Sequence, residues 1–233
     1  MSAAIFSASA YANEPISMDK DVNRIVTEKL ELSTEWDKTF PKSEKVDHSK
    51  VIFPNRYGIT LAADLYIPKG YNGKLPAIAV SGPFGAVKEQ VSGRYAQEMA
   101  ERGFLTIAFD PSFTGESGGK PRYVASPDIN TEDFSAAVDY LLTRDDVNPE
   151  QIGIIGICGW GGFAVNAAAN DPRISATLAS TMYDMSRVNA DGYFDASSTD
   201  ERYALRERLA AQRTADIHNG YYALGGGVVD PLP

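Results

Sequence analysis

Cys158 is the chain's only cysteine, and its neighbours give it a chemical setting. The apolar run Ile152-Gly153-Ile154-Ile155-Gly156-Ile157 leads into it. Gly159, Trp160, Gly161 and Gly162 follow, and an alanine-rich stretch continues to Asn170. A strand, a small residue, one residue more, a nucleophile and then a helix describe a nucleophile elbow. The strained turn lifts the nucleophile clear of the sheet, and small neighbours let the turn close. The helix N-terminus behind it lowers a thiol's pKa and stabilises an oxyanion. Gly156 and Gly159 suit this pattern. Trp160 departs from it, because the second residue after the nucleophile is normally small. Two other readings stand beside it. A free cysteine commonly packs as a small hydrophobe. The glycines at 156, 159, 161 and 162 also suggest a dinucleotide loop, but their spacing is not G-x-G-x-x-G and the turn follows a late strand.

A thiol nucleophile calls for a histidine base oriented by a carboxylate, in the chain order nucleophile, acid, histidine. Only two histidines exist. His48 precedes the first core strand, which argues against it as the base. His218 follows the elbow in "TADIHNGYY", where it is a base candidate or a surface residue. Asp184 in "STMYD" stands just past the last strand, as the acid or as the cap of a turn.

The elements that must position these residues follow from periodicity. "KVIFPNRYGITLAADLYIPKG" reads as two strands around a turn, with Ile59, Leu61, Ala63, Leu65 and Ile67 alternating with their neighbours. Strands are predicted at 75–82, 104–110, 152–157 and 174–181. Helices are predicted over 88–102, over 132–143 with Thr131 as N-cap, and over 161–170. Strands apolar on both faces and separated by helices imply a mostly parallel α/β sheet covered on both sides, with an antiparallel hairpin at its front edge. Residues 17–34 suggest a surface helix or an extension, and 200–214 one further helix before a glycine-rich tail. The domain reading is an extension over 1–45, a core over 46–182 and a cap-like or incomplete segment over 183–233.

Composition sets outer limits. A formal charge of −9 argues against binding nucleic acid or an anionic membrane surface. No stretch approaches the ~20 apolar residues of a spanning helix. One cysteine excludes an internal disulfide, and with two histidines it leaves little for a zinc site. Ala10-Tyr11-Ala12 resembles an A-x-A cleavage site without a basic n-region or a long apolar core, which leaves periplasmic, secreted and cytoplasmic locations all open.

Three segments in order resemble the α/β-hydrolase superfamily, specifically its dienelactone-hydrolase-like branch, whose nucleophile is often cysteine. They are "AVSGPFGAVKEQ", "FDPSFTGESGG" and "GIIGICGWGG". The resemblance runs from about Val51 to Asp184 and implies the α/β-hydrolase fold. It implies that the N–H of Gly159 forms one half of the oxyanion hole. The first segment supplies the other half, from Phe84 or Gly85, since Pro83 has no N–H; the same residues also fit a plain turn. It makes Asp110, Gly115, Ser117 and Gly119 scaffold residues. Glu89 and Glu116 are read as solvated surface positions or as lining of the cleft. Tyr183, Tyr193, Phe194 and Trp160 are read as an acyl pocket or as core. Members of the branch carry two further strands bearing the acid and the histidine. The expectation is therefore a C-terminally truncated hydrolase, acting on a small ester, lactone or thioester without metal or organic cofactor. Its unpaired sheet edge would allow self-association. The alternative is a non-catalytic binding domain that keeps the fold without a complete triad.

Overall fold

The computed structural model describes residues 24–225. Its sheet contains β1 (Val46–Pro54), β2 (Thr60–Pro68), β3 (Leu75–Ser81), β4 (Leu105–Phe109), β5 (Val147–Ile157) and β6 (Ala176–Ser180). Their spatial order is β1-β2-β4-β3-β5-β6. The expected antiparallel hairpin is β1 with β2, and β2 also runs antiparallel to β4; β4, β3, β5 and β6 are mutually parallel. The helices are α1 (Val91–Ala100), α2 (Pro127–Leu142), α3 (Gly159–Asn170), α4 (Met185–Asp191) and α5 (Thr199–Asn219).

The strand period of two divides the core between two faces. Ala77 and Ala79 of β3 and Ile152 and Ile154 of β5 pack with Phe134, Leu141, Phe163 and Ala167 beneath α2 and α3. Ile78 and Val80 of β3 and Ile155 and Ile157 of β5 point to the other face, against Ala96 and Ala100 of α1. The chain thus leaves β3 for one face and leaves β5 for the other. Adjacent parallel strands whose exits diverge leave a crevice at their carboxyl ends, where ligands bind in open α/β sheets.

Several predicted boundaries move. Helix α2 begins at Pro127, with Ser126 rather than Thr131 as its N-cap, because Ser-Pro places a capping hydroxyl ahead of a residue that needs no N–H. Helix α1 starts at Val91, since Lys88 to Gln90 form a turn. Helix α5 runs to Asn219, five residues past the predicted end, and buries none of its side chains. The cleavage-like Ala10-Tyr11-Ala12 and most of the glycine-rich tail lie outside the described residues.

Residues 24–34 form no helix; with the residues up to Lys45 they make a strap over the sheet. Glu28 donates its N–H to Thr60 Oγ1 at 2.7 Å, and Ser33 donates its own to Glu116 Oε1 at 2.6 Å. Buried Lys38 lies 3.1 Å from both Asp37 and Asp64. Burial works against ionisation of Asp37, but the Lys38 hydrogen bond and the charges of Lys38 and Lys50 outweigh it and hold the carboxyl at about 2. Burial of Glu116 is likewise outweighed, by Lys50, Lys88 and the Ser33 N–H, so its pKa is lowered. Groups whose folded pKa is depressed stabilise fully above their unfolded value and lose that contribution as pH falls through the folded one. The expected outcome is that residues 33–41 lose hydrogen-exchange protection between about pH 4 and pH 2, ahead of the central strands. Protection that persists unchanged down to pH 2 would contradict this.

Candidate active site

Cys158 sits between the last residue of β5 and the first of α3, with φ 60° and ψ −127°. That left-handed region is costly for a residue with a side chain, and such strain concentrates at functional sites. The turn closes because Gly156 has no Cβ: one placed there would stand 2.2 Å from the Trp160 carbonyl oxygen and 2.7 Å from Ala164 Cβ. Trp160, the residue that departs from the elbow pattern, is accommodated from across the crevice. A Cβ on Gly82 would lie 2.8 Å from Trp160 Cβ and 2.4 Å from the Ile157 carbonyl oxygen. The indole then enters the core edge-on to Phe84 and Phe163, with ring centroids 5.6 Å and 5.2 Å away.

The Cys158 thiol is half-buried and donates to the Tyr183 hydroxyl at 3.4 Å, while its backbone N–H donates to Ser180 of β6 at 2.9 Å. Gly159 opens α3, in the first turn, where backbone N–H groups have no intrahelical acceptor. Phe84 and Gly85 lie in the turn after β3, where Ala86 donates to the Pro83 carbonyl oxygen. Among the described residues neither the Phe84 nor the Gly85 N–H has a backbone acceptor. The Phe84 ring reaches to 3.7 Å from the point where a Gly159 Cβ would be. The turn after β3 and the start of α3 therefore lie side by side at the carboxyl ends of β3 and β5. Met185 of α4 covers Gly159 from the solvent side, its Cγ and Sδ both 3.0 Å from the same point.

A second set of residues fixes the turn after β3. Asp110, at the end of β4, accepts from the Lys88 N–H at 2.7 Å, from Lys88 Nζ at 2.8 Å and from the Glu116 N–H at 2.9 Å. Ser117 donates to the Asp110 carbonyl oxygen at 2.7 Å and accepts from the Ala62 N–H at 2.8 Å. Gly115 is obligatory, since a Cβ there would fall 2.3 Å from Asp110 Oδ2. On the other side Asp133 of α2 gathers Ser112, Asn55 and Asn130. The scaffold reading of Asp110, Gly115 and Ser117 thus has a physical basis in these bonds.

The surface reading of Glu89 and Glu116 is corrected. Lys88, whose side chain is fully buried, lies 2.5 Å from Glu89 and 2.6 Å from Glu116, and Lys50 also lies 2.6 Å from Glu116. Burying Lys88 requires those carboxylates to be drawn inward. Burial by itself would lower the Lys88 pKa, but Asp110, Glu116 and Glu89 raise it well above the ordinary lysine range. Asp37, Glu89 and Glu116 bring oxygen atoms within 4.8 Å of one another, as a cation site would. Lys50 and Lys88 lie within ion-pair distance of these carboxylates.

Two further candidates have these places in the structure. Asp184 caps α4, its Oδ1 accepting the Arg187 N–H at 2.9 Å, as the capping alternative expects. His218 lies exposed in the last turn of α5, a helix with no buried residue. His48 stands on β1, four strand spacings from β5, or about 19 Å; its Nε2 lies 2.8 Å from Asp64. Among the aromatic candidates, Trp160 is core, Tyr193 and Phe194 are exposed, and Tyr183 is hydrogen-bonded to the thiol. Tyr183 is 25 positions from Cys158 in the chain, and no spacing rule links the two.

Residues 57–222 match the family model described as X-Pro dipeptidyl-peptidase (S15 family). Uncharacterized protein PA2218 of Pseudomonas aeruginosa is 64% identical over 192 residues, which is 82% of this chain and 52% of that protein. The crystal structure of PA2218 aligns with a TM-score of 0.83 at 60% identity, over 87% of this chain and 66% of the other. Uncharacterized protein YcjY of Escherichia coli is 39% identical, over 76% of this chain and 59% of its own length. Thiohydrolase aneE of Aspergillus aculeatus is 35% identical over 57% of this chain and 41% of its own length. The chain spans about half the length of the curated relatives it matches.

Proposed function

From the premise that this chain belongs to the S15 X-Pro dipeptidyl-peptidase family of α/β hydrolases, we propose that it forms an acyl-enzyme through Cys158. The observation that carries this is the backbone of Cys158, held at positive φ with its thiol at the mouth of the β3–β5 crevice. In the proposed step the Sγ electron pair attacks the carbonyl carbon of an ester, lactone or thioester, and the thiol proton leaves to solvent. Oxygen takes up the carbonyl π electrons between the N–H groups of Gly159 and of Phe84 or Gly85. The intermediate collapses by expelling the alcohol or thiol, which takes the bond's electron pair and a proton.

Thioesters and activated esters are the preferred substrates in this reading. Their leaving groups depart without a strong acid, and a cysteine carries some thiolate at neutral pH without a resident base. The thiohydrolase name of the Aspergillus relative agrees with that choice. A peptide bond is less favoured in this reading, because its amine must be protonated as it leaves, whereas a thiol or activated alcohol need not be. The reading assigns acylation to these residues and little or no turnover.

The test is intact-mass analysis after incubation with an acyl thioester. One acyl group per chain, mapped to the Cys158 peptide and absent from Cys158→Ala, is the expected result. A chain of unchanged mass, or acyl groups spread over lysines, would overturn it.

A further inference from the structure

We infer that Tyr183 is a positioning residue for the nucleophile: its hydroxyl accepts the Cys158 thiol's hydrogen bond in the resting chain and donates to Sγ once the thiol ionises. The geometry is a single contact of 3.4 Å between Sγ and Oη, made by two groups that are each only partly exposed. Tyr183 reaches the thiol from the loop between β6 and α4. Thr181 in this loop has positive φ, and Asp184 anchors its far end as the cap of α4. The phenol of this loop thus lies within hydrogen-bond distance of the Cys158 thiol. Deepening the acyl-enzyme reading, this assignment gives Cys158 a polar side chain that can stabilise its charged form.

Among the described residues the thiol's hydrogen-bond partner is Tyr183; Tyr193 acts on Tyr183, Tyr95 of α1 is directed to Ser180 at 3.4 Å, and Phe84 of the turn after β3 lies beside Gly159. The hydrogen bond with Cys158 pushes the Tyr183 phenol up to about 12, helped by burial, by the thiolate charge and by Tyr193. Such a phenol keeps its proton throughout the range in which a thiol titrates. When the Sγ proton leaves to solvent, the Tyr183 O–H rotates and donates to the thiolate. A hydrogen bond to the ionised form lowers a pKa.

The experiment is the pH dependence of Cys158 alkylation by iodoacetamide in the full chain, wild type against Tyr183→Phe, with Tyr95→Phe alongside. Loss of the donor is expected to raise the thiol's midpoint by about one pH unit. Below the midpoint the rate should fall about three- to fourfold rather than tenfold, because a less acidic thiol gives a more nucleophilic thiolate. Tyr95→Phe is expected to leave the midpoint in place. Incorporating 3-fluorotyrosine at position 183 keeps the ring and strengthens the donor, so it should move the midpoint down. This probes the assignment even if Tyr183→Phe folds poorly. An identical midpoint in the wild type and both position-183 variants would overturn the proposal. The readout is independent of acyl transfer. A shifted midpoint in a chain that no thioester acylates supports Tyr183 and sinks the acyl-enzyme reading, and acylation with an unmoved midpoint does the reverse.

Discussion

Gly156→Ala is expected to cost about 3 kcal/mol or more and to abolish acylation of Cys158. The added methyl would meet a backbone carbonyl oxygen at 2.2 Å and Ala164 Cβ at 2.7 Å, and neither is the movable end of a flexible side chain. Relief requires α3 to move away from β5. That motion carries the Gly159 N–H out of the crevice and releases the backbone that holds Cys158 at positive φ. Gly58→Ala is the contrasting control. It places a side chain at positive φ, 77°, where Gly156→Ala does not, and meets nothing within 4 Å, so it carries backbone strain without the steric clash. Its cost is expected to be about 1–2 kcal/mol, with acylation intact. Urea unfolding of both variants, read with the thioester assay, measures the difference. Equal losses would mean that the close packing of β5 against α3 does not hold the elbow together.

Lys88→Met carries the second large effect. Lys88 and Asp110 both have fully buried side chains, and removing the cation leaves Asp110 buried without a counter-charge. Breaking a buried pair in this way typically costs about 3–5 kcal/mol. Burial already raises the Asp110 pKa in the intact chain, despite Lys88. Without Lys88 it should rise further above the unfolded value, so the variant's deficit is smaller in acid and grows as pH increases through the folded pKa. Adding Asp110→Asn should recover part of the loss at pH 7, a coupling that a double-mutant cycle isolates. The turn carrying Phe84 and Gly85 closes at Ala86, two residues before Lys88, whose N–H is bonded to Asp110; the single variant should therefore also slow acylation in the fraction that remains folded. A loss below about 1 kcal/mol at pH 7, or one that grows as pH falls, would contradict the pairing.

How far these sites could be read from the sequence depended on how local their causes are. The parallel strands announced themselves as short apolar runs, because burial on both faces leaves no polar alternation to obscure them. The elbow was visible because its requirements, a strand end, small residues and a helix start, fall within a dozen consecutive residues. Ser126-Pro127 carried a start signal for α2 that Thr131 obscured. Asp184 offered two readings of equal local merit, and only the Arg187 contact selects the cap. The charged cluster was not legible at all. Asp37, Lys50 and Lys88 come from three segments and Asp110 with Glu116 from a fourth, and a glutamate drawn inward by a distant lysine has the same local sequence as a solvated one. Trp160 looked like a flaw in the elbow until Gly82, 78 positions earlier in the chain, was found to leave it room.

The central claim is that Cys158 is a nucleophile, and stopped-flow release of p-nitrophenol from an activated ester tests it most directly, with wild type and Cys158→Ala run side by side. The account predicts a burst of about one equivalent per folded chain, little steady release afterwards, and no burst from the variant. Two folded proteins that release nothing, or that release identically, would contradict it and make the Cys158 thiol a packing group in a non-catalytic domain.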